Sequence, residues 1–217
     1  MAEGFLHTYF LANGGKRIRK WIHYFDIYER HLARFRGTSP VMVEIGVKTG
    51  GSLGMWREYL GPGSRVVGID IDPSCKAHEA DGIDVVIGSQ DDPAVIDAVL
   101  AAHPRIDIVL DDGSHMMRHM IATFRLLYQR LQPDGVYIVE DTHTCYWEKY
   151  DGGLRREGSF IEFAKERIDD INAVHTRGAL PVSEFTRSTD HICFYDSIVV
   201  FERRRQGQRQ AMNTGGL

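Results

Sequence analysis

Five short apolar runs alternate with longer amphipathic segments through the middle of the chain. The runs are rich in β-branched residues and have Gly or Asp at or next to their last position, as buried strands of a parallel sheet do. They read VMVEIGV (41–47), RVVGIDI (65–71), IDVVIG (83–88), IDIVLDD (106–112) and GVYIVED (135–141). Segments with helical spacing lie between them at residues 52–60, 93–102 and 115–131. This alternation predicts βαβ units and an α/β fold with a mostly parallel, doubly wound sheet covered on both faces.

The pattern changes on either side of this region. Residues 16–36 place apolar side chains at helical spacing between charges, which predicts one or two helices. After residue 141 the pattern predicts a polar aromatic loop, a helix at about 159–173 and an antiparallel strand pair at the sheet edge. We therefore expect a helical extension over 1–38, a single domain over 39–203 and a flexible polar tail over 204–217.

Composition narrows the classes of function. A net charge of -4 with 26% charged residues argues against bulk nucleic-acid or anionic-membrane binding and favours a small-molecule partner. The three cysteines are far apart, so no disulfide framework or zinc knuckle is predicted. No segment approaches the roughly 20 apolar residues of a membrane span, and the N-terminus does not resemble a signal peptide. We expect a soluble, unprocessed protein of the reducing cytoplasm.

The turn after the first run suggests a cofactor site, because ligands of open parallel sheets bind at the carboxyl ends of the strands. In EIGVKTGGS, three glycines precede Ser52, so the backbone can approach a ligand closely at a helix N-terminus. Asp70 ends the second run, twenty-four residues after Gly46, and can accept hydrogen bonds from both hydroxyls of a ribose. The spacing differs from the G-x-G-x-x-G dinucleotide fingerprint. A nucleoside-containing cofactor is favoured over a turn that only packs a helix against a strand.

Three carboxylates meet at one sheet edge if the fourth and fifth runs are neighbours. They belong to Asp112, Glu140 and Asp141. So much negative charge is costly unless a cation neutralises it, and an all-oxygen donor set suits Mg²⁺. The alternative is that these acids cap the following helices, which suffices for Asp112 with Ser114 but hardly for Glu140 with Asp141.

His115 follows Asp112 by three residues, so it could remove a proton from a substrate hydroxyl held on the same cation. A lone histidine is more often structural, and only its acidic neighbours give His115 a catalytic interpretation. His119 would share a helix face with His115, but no H-E-x-x-H glutamate or third nitrogen or sulfur ligand supports a zinc pair. The KRIRK run at residues 16–20 is either an attractor for an anionic substrate or, as is more usual, a solvated helix face.

Together these motifs resemble those of class I S-adenosylmethionine (SAM) methyltransferases of the metal-dependent sugar O-methyltransferase type. That type includes mycinamicin and rhamnosyl O-methyltransferases, with cephalosporin hydroxylase-like proteins as more distant relatives. The resemblance covers most of residues 20–202, and LDDGSH with VEDTHTCYW is its most specific part. It implies a Rossmann-like class I methyltransferase fold with an antiparallel edge strand and an N-terminal helical extension.

The resemblance also implies two cofactors, SAM and Mg²⁺, and a role for each motif. The residues it assigns to SAM are Glu44, Gly46, Ser52, Asp70, Gln90 and Asp111. The residues it assigns to Mg²⁺ are Asp112, Glu140 and Asp141, and His115 matches the general base.

The leading hypothesis is therefore an O-methyltransferase that methylates a sugar hydroxyl of a glycosylated natural product or glycolipid. Its expected partner is a small-molecule glycoside, with no nucleic acid and no membrane span, and we expect a homo-oligomer. Four aromatic residues flank the site and could stack on a sugar or aglycone: Tyr24, Tyr146, Trp147 and Tyr150. For Tyr24, as for Trp21, a place in the core is favoured. The alternatives are a methyltransferase-fold protein that acts on a non-sugar hydroxyl, a nicotinamide-dependent oxidoreductase and a non-catalytic SAM-binding or assembly subunit.

Overall fold

The computed structural model describes residues 4–207 and 209–216, and these residues form one seven-stranded sheet. The strands are β1 (Val41–Ile45), β2 (Arg65–Asp70), β3 (Ile83–Ile87), β4 (Ile106–Asp111), β5 (Leu131–Val139), β6 (Thr189–Tyr195) and β7 (Ile198–Arg203). Their order is β3-β2-β1-β4-β5-β7-β6. Strands β1 to β5 are parallel, and β7 runs antiparallel to both β5 and β6. The predicted doubly wound sheet with an antiparallel edge is confirmed.

Three of the seven described α-helices begin at a side chain that caps them. The seven are α1 (Phe5–Leu11), α2 (Tyr24–Leu32), α3 (Gly51–Leu60), α4 (Pro93–Ala102), α5 (Met117–Leu127), α6 (Phe160–Ile171) and α7 (Glu184–Ser188). The Asp92 carboxylate accepts from the Ala94 backbone N–H at the start of α4, and Ser159 does the same for Glu162 in α6. Such caps satisfy backbone donors that have no partner within the helix.

Each face of the sheet carries its own hydrophobic core. Helices α1 to α3 cover one face with large side chains such as Tyr28 and Trp56, while α4 to α7 cover the other around Phe124 and Phe160. Alternate residues of each strand point to opposite faces, so Met42 enters the first core and Val43 the second. The carboxyl ends of β1, β2, β4 and β5 consequently lie side by side at one edge of the sheet.

The prediction for residues 16–36 was correct only in its second half. Helix α2 and a 3₁₀ turn at Ala33–Phe35 form, but residues 16–23 are not helical. Their carbonyl groups bond elsewhere: Thr49 Oγ1 donates to the Arg17 carbonyl at 2.7 Å, and Asn13 Nδ2 donates to the Lys16 carbonyl at 2.9 Å. We call residues 12–23 the crossing segment, because they pass over the strand ends between α1 and α2.

The predicted boundaries at residues 38 and 203 remain predictions. The described part of the tail, 204–207 and 209–216, contains no helix or strand. Residues 1–3 of the predicted extension, and residues 208 and 217 of the predicted tail, lie outside the described residues. Among the described helices, none has the length and apolar character needed to cross a bilayer.

Candidate active site

The turn between β1 and α3 is shaped by glycine at its first position. Gly46 has φ +93°, and a Cβ at this position would lie 2.2 Å from the Asp112 carbonyl oxygen. Only glycine fits a positive φ with so close a neighbour. The turn therefore brings the end of β1 directly against the segment that follows β4.

Asp70, at the end of β2, ties this turn to the neighbouring strand. Its Oδ2 accepts from the backbone N–H groups of Val47 and Lys48 at 2.8 and 2.9 Å, and its Oδ1 accepts from Asp72 at 2.9 Å. Partial burial acts to raise the pKa of Asp70, but these backbone donors together hold the pKa below its ordinary value. Asp70 is thus an ionised acceptor at the edge of a cavity.

One cavity of about 900 Å³ runs along the strand ends. Four of the six residues predicted to bind the cofactor line it: Gly46, Ser52, Asp70 and Gln90. The structure does not bring the carboxylates of Glu44 and Asp111 to the cavity wall, and both lie buried behind it. Those two acids act through other side chains.

Glu44 anchors the start of α3. Its carboxylate accepts from Ser52 Oγ at 2.9 Å and from Trp56 Nε1 at 3.0 Å. Burial raises the pKa of Glu44 to about 7, although the nearby Lys20 ammonium and these two donors act in the opposite direction. Glu44 therefore positions Ser52, which does face the cavity.

Asp111 plays the equivalent part for Gln90. Gln90 Nε2 donates to Asp111 Oδ1 at 3.1 Å, and Gln90 Oε1 accepts from the Ser114 backbone N–H at 2.8 Å. Burial raises the pKa of Asp111 to about 7, against the lowering effect of donors that include the Gly113 N–H. These bonds fix the orientation of the Gln90 side chain and determine which of its two amide atoms is the nitrogen.

Three predicted residues converge at the other end of the cavity. Asp112, His115 and Asp141 each bring one possible metal-ligating atom within 4.8 Å of the others. His115 Nε2 lies 3.8 Å from Asp112 Oδ1 and 3.7 Å from Asp141 Oδ2. They meet because β4 and β5 are parallel neighbours, so the residues that follow them share one edge.

The backbone is unusual at two members of this group. His115 has φ +57° and Asp141 has φ +52°, in the left-handed region that non-glycine residues seldom adopt. Backbone strain of this kind is concentrated at functional sites. The two carboxylates would hold a hard cation, which prefers oxygen, and would leave the imidazole nitrogen available to accept a proton.

Glu140 lies beside this group instead of within it. Its two carboxylate oxygens lie 2.9 and 2.8 Å from Lys20 Nζ, and Oε1 also accepts from Tyr28 Oη at 2.6 Å. Burial raises the pKa of Glu140 to about 8, Asp112 adds to this rise, and Lys20 opposes it. Glu140, the third predicted Mg²⁺ ligand, is thus paired with the Lys20 ammonium group.

Lys20 is the functional residue that the sequence interpretation missed. The basic run was interpreted as a solvated face or a substrate attractor, yet only 3% of the Lys20 side chain is exposed. Its Nζ lies 2.6 Å from Asp112 Oδ2. A possible signal was the excess of acids at the strand ends, since buried charge requires a partner from somewhere in the chain.

His119 takes no part in this group. Its Nδ1 lies 2.8 Å from Ser114 Oγ, and its Nε2 lies 3.6 Å from Asp91 Oδ2. The His119 ring is therefore engaged by Ser114 and Asp91.

A row of aromatic rings forms one wall of the cavity and ends at His115. Successive ring centroids from Trp21 through His143, Trp147 and Tyr150 to His115 are 6.0, 4.8, 6.1 and 6.1 Å apart. Trp21 is 53% exposed and Trp147 is 51% exposed. The expectation that Trp21 belongs to the core was wrong, because the crossing segment is not helical and carries this side chain to the rim.

Tyr24 and Tyr146 complete the set of aromatic predictions. Tyr24 is fully buried, as expected, and its hydroxyl donates to Asp141 Oδ1 at 2.7 Å. Tyr146 is 48% exposed but does not line the cavity. Of the four residues predicted to stack, Trp147 and Tyr150 therefore belong to the aromatic wall.

The order and directions of the strands are those of the class I methyltransferase fold. Residues 43–142 match a family model described as a methyltransferase domain. The structure is also similar to the MycE methyltransferase from the mycinamycin biosynthetic pathway, solved in complex with Mg and SAH. That likeness has a TM-score of 0.80 and 27% identity, over 92% of this chain and 54% of the other.

Proteins with similar sequences include O-methyltransferases of glycosylated compounds. The chain is 34% identical over 197 residues to 8-demethyl-8-alpha-L-rhamnosyl tetracenomycin-C 2'-O-methyltransferase of Streptomyces olivaceus, covering 85% of this chain and 52% of that protein. It is 33% identical over 162 residues to mycinamicin VI 2''-O-methyltransferase of Micromonospora griseorubida, covering 70% and 40%. The chain spans about half or less of the length of these relatives. Residues 43–142 therefore match a methyltransferase domain, and the predicted resemblance to sugar O-methyltransferases is confirmed.

Proposed function

We propose that this protein transfers the methyl group of SAM to a sugar hydroxyl of a glycosylated natural product or glycolipid, with Mg²⁺ at the site. The observation that carries the proposal is the convergence of Asp112, His115 and Asp141 at one end of the cavity. Asp70 lies at the edge of the same cavity. The similarity to rhamnosyl and macrolide sugar O-methyltransferases supports the choice of acceptor.

The cofactor site would use the four predicted residues that face the cavity. Asp70 keeps acceptor capacity for a ribose hydroxyl, since a carboxylate has about four lone-pair sites and three are used. Gly46 lets the ligand approach the backbone, while Ser52 and Gln90 are held by the buried acids Glu44 and Asp111. These two acids support the cofactor site without touching the ligand.

Among the predicted metal ligands, Asp112 and Asp141 each have one carboxylate oxygen within 4 Å of His115 Nε2. We therefore propose these two as the protein's Mg²⁺ ligands. Glu140 is the partner of Lys20. We call Glu44, Asp112, Glu140 and Asp141 together the acidic cluster. When bound, Mg²⁺ would lower the pKa of a coordinated sugar hydroxyl and orient it. His115 Nε2 would then accept the proton of that hydroxyl as it attacks the methyl group.

The aromatic wall offers a surface for the rest of the acceptor. Half-exposed Trp21 and Trp147 present flat apolar faces next to the acidic group, as required to stack on a sugar ring or an aglycone. The polar hydroxyls would then face Asp112 and Asp141. This division of apolar and polar surface fits a glycoside better than a small soluble alcohol.

The test is a methylation assay followed by mass spectrometry. Purified protein is incubated with SAM and a panel of rhamnosides and macrolide glycosides, with Mg²⁺ or with a chelator. We expect a glycoside product that has gained one methyl group with Mg²⁺ and no product with the chelator. A protein that binds NADH and not S-adenosylhomocysteine in calorimetric titration would refute the proposal and favour the oxidoreductase alternative.

The base is tested by His115→Ala. We expect methyl transfer to fall by about 100-fold or more, the usual contribution of a general base, while the affinity for S-adenosylhomocysteine is nearly unchanged. His191→Ala is the control, because His191 is exposed on β6 and does not line the cavity. An equal loss of cofactor affinity in His115→Ala would show that His115 is structural.

The compartment and assembly are proposals as well. Cys75, Cys145 and Cys193 are free thiols, which suits a reducing cytoplasm. A homo-oligomer is proposed, and size-exclusion chromatography with light scattering would measure its mass.

A further inference from the structure

The crossing segment carries a buried ammonium group into the acidic cluster. Lys20 Nζ contacts Asp112 at 2.6 Å and Glu140 at 2.8 Å, and it lies 4.0 Å from Glu44 Oε1. With 3% of its side chain exposed, Lys20 is nearly as buried as Glu44 and Glu140 and more buried than Asp112. A charge in this position would be expelled unless its partners compensated for the lost hydration.

The backbone on either side keeps Lys20 in place. Thr49 Oγ1 donates to the Arg17 carbonyl at 2.7 Å. The start of α3 also touches this carbonyl, because a Cβ on Gly51 would lie 2.4 Å from its oxygen. Tyr24, at the start of α2, is fully buried. The Lys20 ammonium is thus delivered to a fixed point by a segment anchored on both sides.

Lys20 and Tyr24 each hold one carboxylate oxygen of a proposed metal ligand. Lys20 bonds Asp112 Oδ2 and leaves Oδ1 facing His115, while Tyr24 bonds Asp141 Oδ1 and leaves Oδ2 facing His115. Each aspartate therefore has one oxygen held by the protein and one free for a cation. Lys20 cancels one of the four negative charges of Glu44, Asp112, Glu140 and Asp141 when all are ionised.

We propose that Lys20 is a built-in counter-ion of the acidic cluster, which positions Asp112 and Glu140 and keeps the fold independent of the divalent cation. This inference rests on the Mg²⁺ site of the proposed function. Among the described residues, Lys20 is the one cation within 4 Å of Glu140, and Asp112 has only the His115 ring besides Lys20. Without Lys20, a divalent cation or protonation would have to neutralise these acids. A Lys20 variant should therefore bind Mg²⁺ more tightly and depend on it for stability.

The experiment compares thermal unfolding of the full chain with a chelator and with saturating Mg²⁺. The variant is Lys20→Met, and the control is Lys16→Met, which removes the same charge from an exposed position of the same segment. We expect Lys20→Met to unfold at a lower temperature with the chelator. Mg²⁺ should raise its midpoint by at least about 5 °C more than it raises that of the wild type or Lys16→Met. Calorimetry should show Mg²⁺ affinity about tenfold higher than in the wild type.

A double variant tests the inference if Lys20→Met alone does not fold. Glu140→Gln removes the unpaired charge but keeps an acceptor for Tyr28, so Lys20→Met with Glu140→Gln should regain much of the midpoint lost with the chelator. Failure of the double variant to recover, or a loss in Lys20→Met that Mg²⁺ does not reduce, would show that Lys20 only packs against its neighbours.

The outcome is separable from the fate of the proposed function, because unfolding requires no acceptor. If the protein shows this dependence of stability on Mg²⁺ but methylates no glycoside, the counter-ion role of Lys20 is supported and the proposed activity is refuted. If the protein methylates a glycoside with Mg²⁺ but Lys20→Met behaves like Lys16→Met, the proposed activity is supported and the counter-ion role is refuted.

Discussion

Asp70 illustrates how one side chain can be both structural and functional. Its carboxylate accepts three backbone N–H groups and still faces the cavity. An oxygen at this position both closes the β1–α3 turn and offers an acceptor to a ribose. Neither task can be met by a side chain that presents an N–H group to the same donors.

Asp70→Asn should therefore weaken the binding of S-adenosylhomocysteine by about tenfold or more, because the amide nitrogen would face backbone donors and distort the turn. Isothermal titration calorimetry measures this directly. Asp97→Asn is the control, since Asp97 is exposed on α4 and does not line the cavity. Unchanged affinity in Asp70→Asn would remove Asp70 from the cofactor site.

Trp147 and Tyr146 are adjacent aromatic residues with similar exposure and different positions. Trp147 lines the cavity and Tyr146 does not. Trp147→Ala should raise the KM for a glycoside about fivefold, as expected for loss of one stacking contact, with little change in kcat. Tyr146→Ala should leave both constants near their wild-type values. Steady-state kinetics with one glycoside would contradict this if the two variants behaved alike.

Among the secondary-structure elements, the β1–α3 turn is the most constrained. Its backbone N–H groups donate to Asp70, and it abuts the crossing segment at Gly51 and contacts the chain after β4 at Gly46. The glycine spacing in the sequence indicated such a turn, but not which neighbour required each glycine. Gly46 is required by the Asp112 carbonyl, so this turn links the cofactor end of the cavity to the acidic end.

Gly46→Ala should destabilise the protein by roughly 3 kcal/mol, since it combines a strained positive φ with a clash against backbone. Denaturant unfolding measures this free energy. Gly14→Ala is the matched control, because no atom lies within 4 Å of a Cβ placed there. If the two substitutions cost the same, the close approach of Gly46 to Asp112 would not contribute to stability.

Across the whole molecule, buried acids link stability to pH. Burial raises the pKa of Glu44 to about 7, above its value in the unfolded chain. The folded state then binds more protons than the unfolded state between about pH 4.5 and pH 7. The contribution of Glu44 to the free energy of unfolding is therefore present at low pH and is lost as the pH rises through about 7.

Glu44→Gln should reduce this pH dependence, because a glutamine cannot ionise. We expect the free energy of unfolding of the wild type to fall more steeply between about pH 5 and pH 8 than that of the variant. Denaturant titrations at several pH values test this, with Glu58→Gln as the control at an exposed position of α3. Equal slopes in the wild type and Glu44→Gln would show that Glu44 does not titrate in this range.

Local sequence was sufficient for the sheet and for the residues at its edge. Apolar runs and turn residues are local features, and strand ends in a parallel sheet share one edge by geometry. For this reason Asp112, His115 and Asp141 could be grouped from sequence, and the structure does bring them together. Glycine and aspartate at the first two strand ends likewise marked the wall of the cavity.

Tertiary packing was needed for everything that depends on where a side chain points. Glu44 and Asp111 stand at strand ends but turn into the protein, because Trp56 and Gln90 offer them donors there. The periodicity of residues 16–23 predicted a helix, but bonds to a distant turn hold this segment in another shape. Lys20 and Glu140 are 120 positions apart, and no local pattern could indicate which cation would balance which acid.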